Sequence, residues 1–178
     1  MSKHEINFRY DRYILPNGRR VFLSNRPDVV IESQVLEFIK KETPVVRYQF
    51  TDNWVDFNYG PPKEWFLWVP GKNPTIESVY SFLHSMNNFD SKEGLDKSIW
   101  LHCDSSSMRA PTFFGLYLST YYPNEMKSIV DAAMPLKNMS RPDEYVETEF
   151  KLDKEVKTLV ELLKKSEADA YKFLVRRK

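Results

Sequence analysis

The stretch Ser98-Ile99-Trp100-Leu101-His102-Cys103-Asp104-Ser105-Ser106-Ser107-Met108-Arg109-Ala110-Pro111 decides how the rest of the chain is read. Its first four residues are a short apolar run, the pattern of a buried parallel strand. From Ala110-Pro111 onward an apolar helix is predicted through Phe113, Phe114, Leu116, Tyr117 and Leu118. Pro111 falls in the first turn, where a missing N–H costs nothing. Between strand and helix lies a polar turn with the chain's one cysteine and, six positions on, an arginine. A loop running from a strand's carboxyl end into a helix can aim successive backbone N–H groups at one anion, and the helix adds its positive end. The same field stabilises a thiolate. Arginine presents a planar fork that matches two phosphate oxygens, which lysine does not. Cys103 therefore reads as a nucleophile at the base of an anion nest and Arg109 as the clamp at its rim.

The flanking sequence supplies the frame. Upstream, the turn signal Pro16-Asn17-Gly18 precedes a short strand, Val21-Phe22-Leu23-Ser24. Val35, Leu36 and Ile39 fit one face of a helix that starts near Glu32 or Ser33. Val45 to Phe50 is β-branched and aromatic, hence a second strand, and Trp65 to Trp68 is a short one between loops rich in Pro and Gly. Pro74-Thr75 opens a helix with Ile76, Val79, Tyr80, Leu83 and Met86 on one face, and Asn87 to Lys97 reads as a polar connection. Downstream, one helix is predicted over Asn124 to Ala133. A last one runs from Asp153 to about Val175, with Val156, Leu159, Val160, Leu163 and Leu174 on one stripe. Residues 1–12 are expected to form an extended arm. Strands alternating with helices predict an α/β fold, a central mostly parallel sheet flanked by helices on both faces, with 1–178 as one domain.

Composition narrows the class. Of 178 residues, 42% are hydrophobic and 15% aromatic, enough for a packed core. A net charge of +1 argues against bulk binding to nucleic acid or an anionic membrane. No apolar run approaches the ~18 residues of a membrane span. The opening Met1-Ser2-Lys3-His4-Glu5 leads into no apolar signal core. One cysteine excludes an intrachain disulfide and a Cys-rich zinc site, no metal-ligand spacing occurs, and no cofactor is implied. An unpaired thiol suits a reducing compartment, so a cytoplasmic protein is expected.

The segment His102-Cys103-x5-Arg109 resembles the signature of the protein tyrosine and dual-specificity phosphatases, and the likeness in element order extends from about Arg20 to Tyr122. Trp68-Val69-Pro70-Gly71-Lys72-Asn73-Pro74 is similar to that family's acid loop, Trp-Pro-Asp-x-x-x-Pro, followed by the helix the family has there. The resemblance implies that Cys103 attacks phosphorus to form a phosphocysteine. It further implies that Arg109 and the amides of a loop through Asp104, Ser105, Ser106, Ser107 and Met108 hold the equatorial oxygens. His102 would help to set the cysteine's ionisation. A phosphorylated protein of the phosphotyrosine type is the implied partner.

Three departures bear on turnover. The family's general acid aligns with Pro70, which has no proton to give, and losing such an acid costs about 10²–10⁴-fold. The Ser or Thr that follows the arginine is here Ala110, and the loop glycine is Ser106. Asp104, Asp56, Asp52 and Glu64 are the candidate replacement acids. Asp104 is nearest to the thiol, but its charge opposes an anion there. A second likeness, to the loop His-Cys-Glu-x-Ser-Ser-x-Arg-Gly-Pro of rhodanese-fold cell-cycle phosphatases, is carried by His102 to Pro111; an arsenate reductase or sulfurtransferase of that type belongs with it. A phosphate-binding pseudophosphatase is the reading that the losses at Pro70 and Ala110 favour.

Plainer readings stand beside these. A lone cysteine is most often a buried core thiol. His84 reads as a packing or surface residue and His4 as part of the arm. Trp54, Trp65, Trp68 and Trp100 read as packing. Ser105 to Ser107 lack the elbow or triad that nucleophilic serines need. Arg141-Pro142-Asp143 reads as a turn and Arg176-Arg177-Lys178 as a solvated helix end.

Overall fold

The computed structural model describes residues 7–51, 60–67, 75–103, 109–131 and 154–176. Five strands form one sheet: β1 (Tyr10–Ile14), β2 (Arg20–Ser24), β3 (Pro44–Thr51), β4 (Lys63–Leu67) and β5 (Ser98–Cys103). Their order is β1-β2-β5-β3-β4. β1 pairs with β2 antiparallel, and the remaining pairings are parallel. The antiparallel pair is a hairpin closed by Pro16-Asn17-Gly18, where Gly18 takes φ +91° and donates its N–H to Leu15 O at 2.8 Å. A side chain with Cβ would be strained in that conformation.

β5 lies in the middle, and all six of its residues are buried, as a parallel strand covered on both faces requires. Alternation along the strands then sorts the side chains into two layers. Phe22 and Trp100 face α1 (Glu32–Glu42), whose Val35 and Phe38 cover them together with Ile31. Val21, Leu23, Val46, Tyr48, Phe50, Ile99, Leu101 and Cys103 face the other way. They share one cluster with residues of α2 (Ile76–Lys92), α3 (Arg109–Tyr121), α4 (Met126–Asp131), α5 (Lys154–Lys165) and α6 (Glu167–Arg176). Among the described residues, helices thus lie on both faces of a mostly parallel sheet, as the sequence predicts, with α1 on the first face and α2 to α6 on the second. None of the helices among the described residues is long and apolar enough to cross a membrane.

Four expectations change. Residues 10–12 belong to β1 rather than to an arm. Tyr10 pairs with Ser24 and packs its ring against Phe22 and Phe38, at 5.5 and 4.7 Å, while Asp11 is buried. Residues 1–6 lie outside the described residues. The predicted connection from Asn87 begins too early, because α2 continues to Lys92 and buries Asp90. The C-terminal helix is two helices. Ser166 separates them, its Oγ accepting the N–H of Asp169 at 3.4 Å as an N-cap of α6. Of the helix predicted over 124–133, Met126–Asp131 is helical among the described residues, and 132–133 lie outside them.

Candidate active site

Two packed elements hold the ends of the polar turn. β5 ends on Cys103, in register with Phe50 of β3, and α3 begins on Arg109. α3 is buried at every position from Ala110 to Leu118, so its direction is set by the core rather than by the turn. Phe113, one helical turn past Arg109, stacks on Phe50 with centroids 4.3 Å apart and planes at 18°. Phe82 of α2 meets both rings edge-on, at 5.3 Å from Phe50 and 5.2 Å from Phe113. This triangle of rings ties the strand beside Cys103 to the first turns of α3. Aromatic pairs of this kind each contribute about 0.5–1.5 kcal/mol beyond their buried area.

Cys103 is in no disulfide and is 1% exposed, on the sheet face that α2 and α3 cover. Arg109 is half-buried. The strand's carboxyl end and the helix's amino end therefore bring the sulfur, one guanidinium and the positive end of a thirteen-residue helix to the same edge of the sheet. His102 is fully buried, on the face opposite Cys103. Its ring lies 5.1 Å from that of Trp100, and the residue is in register with Ser24 and Gln49. Trp100 donates its Nε1–H to Ser24 Oγ at 2.7 Å, which locks the two central strands together just below the site. Arg47 lies over the Trp100 ring on that same face, 5.7 Å from its centroid, and burial lowers its pKa to about 10.

Asp104, Ser105, Ser106, Ser107 and Met108 lie outside the described residues, as do Asp52, Asp56 and the acid-loop segment Trp68 to Pro74. Glu64 is described. It sits on β4 in register with Tyr48, two strands from β5 and level with Leu101. With ~4.8 Å between strands and ~3.3 Å per residue, its backbone is about 12 Å from that of Cys103. Its Oε2 accepts the Ser85 hydroxyl at 2.5 Å, and Ser85 Oγ lies 2.8 Å from the Tyr48 hydroxyl. Since Ser85 has one proton and gives it to Glu64, Tyr48 donates to Ser85. That relay joins β3, β4 and α2; burial foremost, with Glu64 nearby, pushes the Tyr48 hydroxyl far above its ordinary pKa. Of the candidate acids, Glu64 is thus a tether of the sheet to α2. His84 is half-exposed on α2, paired with Glu167 of α6 and stacked on Tyr80.

Sequence reasoning missed a polar hub at the opposite edge of the sheet. Arg19 is fully buried, and all five of its N–H donors are used. Nε donates to Asp90 Oδ1 at 3.2 Å, Nη1 to Gly94 O and Lys97 O, and Nη2 to Asp90 O and Glu93 O. Asp90 also accepts from Asn17 Nδ2, Tyr117 OH and Tyr122 OH, each at 2.8 Å. The hub satisfies carbonyls at and beyond the end of α2, which would otherwise be orphaned. An arginine at the start of a strand carries no local signal of such a role.

No family model and no curated protein matches the sequence. Solved structures do match in shape. PTPMT1 in complex with PI(5)P superposes with a TM-score of 0.53 at 14% identity, over 89% of this chain and 94% of that one. The protein tyrosine phosphatase TcPTP1 of Trypanosoma cruzi gives 0.54 at 11% identity, over 86% and 75% of the two chains. DUSP15 gives 0.53 at 11%, over 88% and 94%. At such identities the likeness is one of architecture. The chain has the fold of the tyrosine and dual-specificity phosphatases.

Proposed function

We propose that the protein is a cysteine-dependent phosphatase acting on phosphomonoesters, with phosphotyrosine-type protein substrates as its class. The observation that carries this reading is that the central strand ends on Cys103 and α3 begins on Arg109, within this fold. Sulfur attacks phosphorus, the phosphorus–oxygen bond to the alcohol breaks, and a phosphocysteine forms. Water then attacks that intermediate, releasing inorganic phosphate and restoring the thiolate. The helix terminus, the loop amides and the Arg109 guanidinium stabilise charge on the phosphoryl oxygens in both steps. With proline at the acid position, aryl phosphates are the substrates of choice, because a phenolate leaves with the least need of a proton. A single cysteine in no disulfide suits a cytoplasmic setting.

Cys103→Ser is expected to lower hydrolysis of p-nitrophenyl phosphate by about 10⁴-fold or more while leaving the thermal transition in place. Unchanged turnover in that variant would end the proposal. A second reading, a pseudophosphatase that binds phosphoproteins, draws on Ala110. That residue is fully buried at the second position of α3 and offers no hydroxyl to assist departure of the thiolate. Burst kinetics separate the two: a stoichiometric burst of p-nitrophenol favours the enzyme, and saturable phosphopeptide binding without turnover favours the binder. The shared fold sides with the tyrosine phosphatase likeness over the rhodanese one.

A further inference from the structure

β1 ends the sheet, so among the described residues one of its sides has no neighbouring strand. Antiparallel strands bond through alternate residues. Leu15 donates its N–H to Arg19 O at 2.9 Å, and Asn25 donates to Arg9 O at 3.2 Å, so the odd-numbered residues of this segment bond toward β2. The backbone N–H and C=O groups of Tyr10, Arg12 and Ile14 therefore point the other way, and none is hydrogen-bonded among the described residues. Such a row accepts an added strand.

A groove lies beside this row. α1 runs alongside β1 in the same sense: Gln34 accepts the Phe8 N–H at 2.8 Å, Phe38 meets Tyr10 at 4.7 Å, and Glu42 pairs with Arg20, which stands opposite Ile14. Phe8, Tyr10 and Phe38 floor the groove, and Gln34, Glu37 and Lys41 wall it. Its volume of about 260 Å³ falls below the ~300–1,000 Å³ of small-molecule sites and suits one large side chain. Arg12 stands opposite Phe22, hence on the same face, and Lys41 lies one helical turn past Phe38. Neither forms an ion pair among the described residues, whereas Arg20 is balanced by Glu42 at 3.3 Å. The aromatic floor thus gives way to two cations along the groove.

We propose that β1 and α1 form a docking groove for an extended acidic segment of a partner protein, which adds to the sheet as a further strand beside β1. Side chains of an added strand alternate, so every second one faces the groove. The one opposite Tyr10 meets the aromatic floor and is apolar, and the one opposite Ile14 is aliphatic. The one between them meets Arg12 and Lys41 and is a carboxylate. A second copy of this chain fits worse. Antiparallel pairing of two β1 strands through all three open residues sets Arg12 opposite Arg12, and like charges directly opposite repel. The proposal is independent of the chemistry at Cys103.

The probe is a fluorescein-labelled peptide with the core Ile-Thr-Glu-Thr-Phe, titrated with the full chain and followed by anisotropy. Saturable binding is expected, and replacing the peptide's Glu by Lys should weaken it about fivefold, the upper range for one exposed ion pair. In Arg12→Glu the order reverses, and the Lys peptide binds tighter. Should Arg12→Glu fail to fold, Lys41→Glu on the exposed side of α1 serves instead. There the Glu preference is expected to fall to about twofold or less, and a preference that stays about fivefold counts against the groove. A methyl group on the peptide's Glu nitrogen removes a donor aimed at β1 and should abolish binding. On the nitrogen of the next Thr, aimed away from β1, it should cost about threefold or less. No saturable binding, equal affinity for the Glu and Lys peptides, or equal effects of the two methyl groups overturns the proposal. A dimer in sedimentation velocity that the peptide dissociates assigns the edge to a second copy and overturns it as well.

Discussion

Arg19 and Arg109 stand at opposite edges of the same sheet, and the difference between their surroundings separates architecture from chemistry. Arg19 is wholly buried, and its five donors end on one carboxylate and four backbone carbonyls. Asp90 in turn receives Asn17, Arg19, Tyr117 and Tyr122. A buried ion pair is tolerable only when its remaining donors and acceptors are satisfied, and here they are. Arg109 is half-buried at the first residue of a helix, which follows the strand that ends on Cys103. The first arginine closes the amino-terminal edge of the sheet. The second stands at the carboxyl edge, where ligands of open α/β sheets bind.

The same substitution at both places puts this contrast to the test. Arg109→Lys keeps the charge and loses the fork. It is expected to lower kcat for an aryl phosphate by about 10²-fold and to leave the melting temperature nearly unmoved. Steady-state kinetics and calorimetry on one preparation check both halves, and a stable, fully active variant would remove Arg109 from the chemistry. Arg19→Lys should do the reverse. Three donors replace five, so at least two of the five buried acceptors lose a donor, at about 1–3 kcal/mol each. The melting temperature should fall by about 10 °C, with kcat per folded molecule unchanged. A loss of activity that exceeded the loss of folded protein would show that the far edge also tunes the site.

A smaller effect is expected in alkali. Tyr117, buried and facing the Asp90 carboxylate, has its pKa pushed far above the ordinary value, and Tyr122 rises for the same two causes. Tyr121, moved chiefly by burial, reaches about 12. Each folded pKa exceeds the unfolded one, so above pH ~10 the unfolded chain holds fewer protons than the folded one and stability declines with pH. The contribution is complete below pH ~10 and is lost as pH climbs through the folded values. Each such tyrosine adds a slope of about 1.4 kcal/mol per pH unit. Urea titrations between pH 9 and 12 measure it, and Tyr117→Phe should remove one such share of the slope. A flat stability profile across that range would contradict a sealed hub.

Periodicity and turn chemistry are local, and the elements that depend on them alone were legible. The hairpin turn at Gly18, the apolar face of α2, the short run that becomes β5 and the proline in the first turn of α3 could all be read from a few adjacent residues. Thr75 caps α2, its Oγ1 accepting the Ser78 N–H at 3.2 Å, next to the predicted start at Pro74-Thr75. Asp90 was illegible because nothing near it in sequence explains a buried carboxylate. Its arginine is 71 positions away, and Tyr122 is 32. Without those partners a helix passing through Asn87-Asn88-Phe89-Asp90 looks like polar loop. β1 was hidden for a like reason, since Tyr10 reads as part of an arm until Phe22 and Phe38 are brought beside it.

By itself the sequence determined the strand–turn–helix around Cys103, the residue types able to hold an oxyanion there, and the α/β class, because each follows from spacing along a short segment. The tertiary structure alone decided the strand order β1-β2-β5-β3-β4, the burial of Arg19 with Asp90 and the tethering of Glu64 to Ser85. Each of these joins groups far apart in the chain, and their energies exist only once the intervening segments have paid the entropy of coming together.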